Sequence, residues 1–152
     1  MSSIKLIEIL QAFDRVQQNS RKIFQKTAAD NNLSMPQLVI LMKIAPRRKM
    51  TQKELAKESY IPKSTLSQAI DGLVLADLIH RHPVEDNRRE MQLILSEKGK
   101  EFFEKIWLRE GSIHHGFELA LQTFTEKQRD DFLHSLEKIA LFLEKEMTEK
   151  GE

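Results

Sequence analysis

The segment from Thr51 to Leu95 constrains this chain more than any other. Hydrophobic spacing predicts two short helices, Gln52 to about Ser59 and Lys63 to about Ala76, joined by the turn Tyr60-Ile61-Pro62. Two strand candidates follow, Ile79 to Pro83 and Met91 to Leu95, with Val84 to Glu90 as a polar tip. Leu66, Ala69, Ile70 and Leu73 fall at i, i+3, i+4 and i+7, which marks the buried face of the second helix. Helix, turn, helix and hairpin in one contiguous run leave few topologies open.

The flanks read as long helices. With only 5 glycines and 4 prolines in 152 residues, there are too few breakers for a many-turned β fold. Three capping boxes announce helix starts, at Ser34-Met35-Pro36-Gln37, Thr51-Gln52-Lys53-Glu54 and Thr125-Glu126-Lys127-Gln128. Ser96, followed by Glu97, is a fourth cap. The expected helices run from Ile4 to Ala29, from Leu33 or Ser34 to Ala45, from Glu97 to Gln122 and from Glu126 to Lys150. Pro46 stops the second of these, and Arg47-Arg48-Lys49 forms a basic connection. The last helix carries an apolar stripe of Phe132, Leu136, Ile139, Ala140, Leu143 and Met147, which needs a partner surface. The expected fold is mainly α: a winged helix-turn-helix with long N- and C-terminal dimerisation helices and one short β-hairpin wing. Residues 1–152 form one chain unit, with a winged lobe at 34–96 and a helical dimerisation region at 1–30 and 97–150.

Composition narrows the chemistry. The chain has no cysteine, which excludes disulfides, thiolate metal sites and thiol redox switches. Neither a signal peptide nor an apolar run long enough to span a bilayer is apparent, so a cytoplasmic protein is expected, with no membrane partner. Charge is uneven. Residues 1–95 hold 15 Lys+Arg against 10 Asp+Glu, whereas residues 96–152 hold 9 against 13. Only the first part suits a polyanion.

The outer face of the Lys63 helix presents Lys63, Ser64, Ser67, Gln68 and Asp71, with Thr65 near its edge. Short or amide side chains let a helix approach base edges closely, and glutamine can pair bidentately with adenine. At the hairpin tip, Asn87, Arg88 and Arg89 would protrude, and arginine is the favoured side chain in a narrow minor groove. Asp86 beside them is expected to shape the wing by accepting hydrogen bonds from loop amides or an arginine. Taken singly, each face also fits an ordinary solvated surface. Their succession in one segment favours double-stranded DNA.

These residues resemble the MarR (multiple antibiotic resistance regulator) family of winged helix-turn-helix transcription factors. The likeness rests on Thr51 to Ala56, on Lys63 to Leu73, on Leu78-Ile79-His80-Arg81, on Asp86-Asn87-Arg88-Arg89 and on Leu93 to Gly99. Its most specific part is the Asp-x-Arg wing followed by Leu-Ser-x-x-Gly. The chain departs from the family pattern at Asp77, where glycine is usual, and carries Gln68 where many members carry arginine. The resemblance implies a homodimeric, ligand-responsive repressor on a pseudo-palindromic operator with half-sites roughly 10 bp apart. It implies that Ser64, Thr65, Ser67 and Gln68 enter the major groove, that Arg88 enters the minor groove, and that Gln52, Lys53 and Lys63 hold phosphates. It also implies a small aromatic or anionic effector in a crevice beside the dimer helices.

No phosphate loop, nucleophile elbow or His-Glu-x-x-His motif occurs, and no enzyme or bound cofactor is expected. His114-His115, with Glu110, Glu118 or His134 nearby, leaves open a zinc-responsive member of the same fold, although adjacent histidines on a helix diverge by about 100°. The remaining alternative is a winged-helix protein-interaction module without DNA binding. Such a module would lack the wing arginines and carry apolar residues on the outer helix face.

Overall fold

Five of the described helices begin where a side-chain hydroxyl meets an otherwise unsatisfied amide, at Ser2, Ser34, Thr51, Ser96 and Thr125. In the computed structural model, which describes residues 2–151, the capping boxes at Ser34, Thr51 and Thr125 are all formed. Helix α1 spans Ser3–Asp30, α2 Met35–Ile44, α3 Gln52–Ser59 and α4 Lys63–Leu75. Strands β1 (Lys49–Thr51), β2 (Ile79–Val84) and β3 (Asn87–Leu95) form an antiparallel sheet in the order β1-β3-β2. Helices α5 (Glu97–Trp107), α6 (Ile113–Gln122) and α7 (Glu126–Lys150) complete the chain.

The fold is mainly helical with a small sheet, as expected, but three local readings are corrected. β1 lies within and just after the segment read as a basic connection. It adds a third strand, pairing Met50 with Leu93 and burying Met50. A three-residue strand turns one side chain inward and so carries no detectable period. The helix expected over Glu97 to Gln122 is two helices. Between them Gly111 adopts φ +82, and the buried Ser112 donates its hydroxyl to the Trp107 carbonyl at 2.8 Å. The polar tip is also shorter than expected. β3 already begins at Asn87, leaving Glu85 and Asp86 as the turn.

The core lies between α2, α3, α4 and the sheet. Ile40, Leu41, Ile44, Leu55, Leu66, Ile70, Leu73, Ile79 and Leu93 are fully buried there. Truncating any one of these to alanine costs about 2–5 kcal/mol. This core positions α4. At its C-terminal end Asp77 takes the left-handed conformation (φ 60), while the Leu78 amide donates to the Leu73 carbonyl at 3.0 Å. This is the helix stop for which aspartate can replace glycine. Ser96 locks the stop from the other side. Its hydroxyl donates to the Asp77 carbonyl at 2.6 Å and accepts the Gly99 amide at 2.9 Å.

The chain divides into two compact units between Ile113 and His114. In the first, α1 leaves Ile4, Ile7, Leu10 and Phe13 exposed; in the second, α7 leaves Leu133, Ile139, Phe142 and Met147 exposed. No described helix is long and apolar enough to cross a membrane.

Candidate nucleic-acid interface

The first turn of α4 is held by tertiary packing and has no side-chain cap. Its N-cap residue is Pro62, and no side chain bonds the helix start. Leu66 anchors the turn from below, and Lys63 and Ser64 stand exposed above it. Free amides and a lysine at a helix start suit an anionic group.

Three elements meet at this point. Gln52 and Lys53 from α3, Lys63 from α4, and Asn87 and Arg89 from β3 line one open trough of about 590 Å³. Ala56, Ile61, Leu66 and Met91 contribute apolar wall to it, and Glu90 one carboxylate. Five of the residues expected to face nucleic acid are thus brought onto one concave surface. Ser64 and Gln68 are exposed and Ser67 half-buried along the outer stripe of α4, and Thr65 is half-buried at its edge. Arg88 is exposed but does not line the trough.

The wing reaches this arrangement through a bulge. Val84 pairs with Asn87, and Pro83 pairs with Met91, so Arg88, Arg89 and Glu90 have no opposite residue on β2. Pro83 has no N–H to give the ladder, and the register shift leaves the three residues as a bulge in β3. The side chain that fixes this turn is Asn87, whose Oδ1 accepts the Arg89 amide at 3.1 Å. Asp86, expected to do so, is exposed and accepts no hydrogen bond among the described residues.

Two ion pairs brace the lobe. Arg47 donates to Glu58 at 2.9 Å, tying the connection before β1 to α3. That hydrogen bond holds the Glu58 carboxyl below the usual carboxylate range and raises Arg47. Arg81 of β2 pairs with Asp71 of α4. Ten residues and a change of element separate the two, so no local pattern joins them. The available signal was a carboxylate standing alone on a face otherwise suited to DNA. Among the described residues no group of three His, Cys, Asp or Glu side chains is arranged to hold a metal ion. His114 and His115 lie half-buried in the first turn of α6.

Residues 33–91 match the family model described as MarR family. The uncharacterized HTH-type transcriptional regulator YybA of Bacillus subtilis (strain 168) is 28% identical over 124 residues, covering 80% of this chain and 81% of that protein. A MarR transcriptional regulator from Methanosarcina mazei Go1 is similar in structure, with a TM-score of 0.73 at 24% identity over 91% of this chain and 98% of its own. NadR in complex with 4-hydroxyphenylacetate has the same fold, with a TM-score of 0.67 at 20% identity over 92% and 94% of the two chains.

Proposed function

We propose that the chain is a member of the MarR family, whose model matches residues 33–91, and that it is a sequence-specific regulator of transcription that binds double-stranded DNA as a homodimer. The observation that carries this reading is the trough. It gathers cations and amides from three elements, Lys53, Lys63, Arg89, Gln52 and Asn87, beside the polar stripe of α4.

In this reading α4 enters the major groove. Ser64, Thr65, Ser67 and Gln68 meet base edges, and Gln52, Lys53 and Lys63 meet phosphates. Arg88, exposed at the bulge, reaches the adjacent minor groove, with Asn87 and Arg89 at its flank. The exposed apolar faces of α1 and α7 support the dimer, because patches of this kind on a charged chain call for cover. Two copies then read a pseudo-palindrome. Repression relieved by a small aromatic or anionic effector is part of the same proposal. Its support is the fold shared with NadR, whose structure holds 4-hydroxyphenylacetate.

The test is selection of bound duplexes from a random pool, followed by titration of the selected duplex at several salt concentrations. The logarithm of affinity should fall linearly with the logarithm of salt concentration, with a slope set by the number of phosphates neutralised. Recovery of no enriched sequence, or a flat salt response, would refute the reading. Light scattering should give twice the chain mass.

A further inference from the structure

The reading stripe of α4 contains a residue of the wrong charge. Ser64, Ser67, Gln68 and Asp71 recur at helical spacing, so Asp71 lies one or two turns along the same face, about 10.5 Å beyond Ser64. Its side chain is 63% exposed. The helix cannot readily roll it aside, because Leu66, Ala69, Ile70 and Leu73 on the opposite face of α4 are buried in the core. A carboxylate fixed on this stripe would face phosphates.

The residue that meets it is Arg81. Its guanidinium comes from β2, the first strand of the wing, and bonds Asp71 Oδ1 while being only 30% exposed itself. An ion pair this open to water adds little to folding stability, so its effect lies in where the charge sits. Resting on the DNA-binding reading above, we propose that Arg81 is a positioning residue for recognition: it masks the Asp71 charge and holds that carboxylate back from the duplex. The C-terminal half of the α4 stripe can then approach DNA as a neutral surface. Because the pair spans helix and wing, it also couples the two elements that enter neighbouring grooves.

The test uses the full-length protein and a fluorescent duplex selected from a random pool by the wild type. Arg81→Met should weaken binding by about tenfold, because an uncompensated like charge then faces the backbone. Adding Asp71→Asn to Arg81→Met should restore affinity to within about threefold of wild type, although no contact to DNA has been added. Asp71→Asn alone should bind as tightly as wild type or more tightly, since it frees a cation beside the duplex. Rescue is the decisive readout, because a purely structural Arg81 would leave the double variant as weak as the single one. That failure of rescue overturns the inference, as does Arg81→Met binding within about threefold of wild type. If Arg81→Met does not fold, Asp71→Asn decides alone: a loss beyond about threefold would mean that DNA contacts Asp71 directly. Wild-type protein that binds no duplex in a salt-dependent way overturns the DNA-binding reading itself, and the inference with it.

Discussion

Adding one methyl group at Gly99 should damage the fold, and adding the same methyl at Gly116 should not. A Cβ at Gly99 would stand 2.9 Å from the Leu78 carbonyl carbon and closer still to its oxygen. Ordinary contact begins at 3.4 Å, so the backbone must part by at least half an ångström there. That carbonyl cannot simply yield, because it accepts the Ser96 amide at 3.1 Å, and the Leu78 amide is bonded to Leu73. Losing the Ser96 bond costs about 1 kcal/mol. Overpacking costs about 1–3 kcal/mol. The better helix propensity of alanine returns about 1 kcal/mol. Gly99→Ala should therefore destabilise by about 2 kcal/mol, which lowers Tm by roughly 4–8 °C. Gly116, in the middle of α6, has nothing within 4 Å of an added Cβ, so Gly116→Ala should stabilise by about 0.5–1 kcal/mol. Trp107, the single tryptophan, lies in α5 with Gly99, so its fluorescence in a urea titration reports the affected unit. Circular dichroism follows the loss of total helicity in both variants. A Gly99→Ala protein as stable as wild type would show that α5 does not approach the α4 helix stop as closely as described.

Arg88→Ala should weaken DNA binding and reduce the log–log salt slope by about one, measured by fluorescence anisotropy; an unchanged slope argues against a wing contact. Tyr60 is 86% exposed with φ 56, a conformation asparagine tolerates better, so Tyr60→Asn should raise stability by about 0.5–1 kcal/mol in thermal melts. The Glu58 carboxyl is held low by Arg47, so its contribution is present above the ordinary glutamate value and lost as pH falls through the lowered one. Glu58→Gln should accordingly be less stable than wild type at neutral pH, with the gap closing below about pH 4; a gap that persists at pH 3 would count against the pair.

Much of the architecture is decided within four or five residues of chain. The starts of Gln52–Ser59 and Glu126–Lys150 follow from capping boxes, whose donors and acceptors lie three positions apart. The buried face of α4 follows from helical spacing, and Asp77 takes the left-handed turn from its own short side chain. The residue types suited to DNA were legible for the same reason, since a polar stripe and an arginine pair are local patterns.

What escaped the sequence depends on groups brought together across the fold. β1 exists because Met50 meets Leu93, some forty residues away. The wing arginines lack partners on β2 because Pro83 pairs with Met91 and skips three residues. The convergence of Gln52, Lys63 and Arg89 on one trough, and the pairing of Asp71 with Arg81, arise only when the core seats α3, α4 and β3 together. Periodicity assigns a side chain to a face; it carries no information about which charge on another element will stand opposite, because that is set by packing over distances the local pattern does not span.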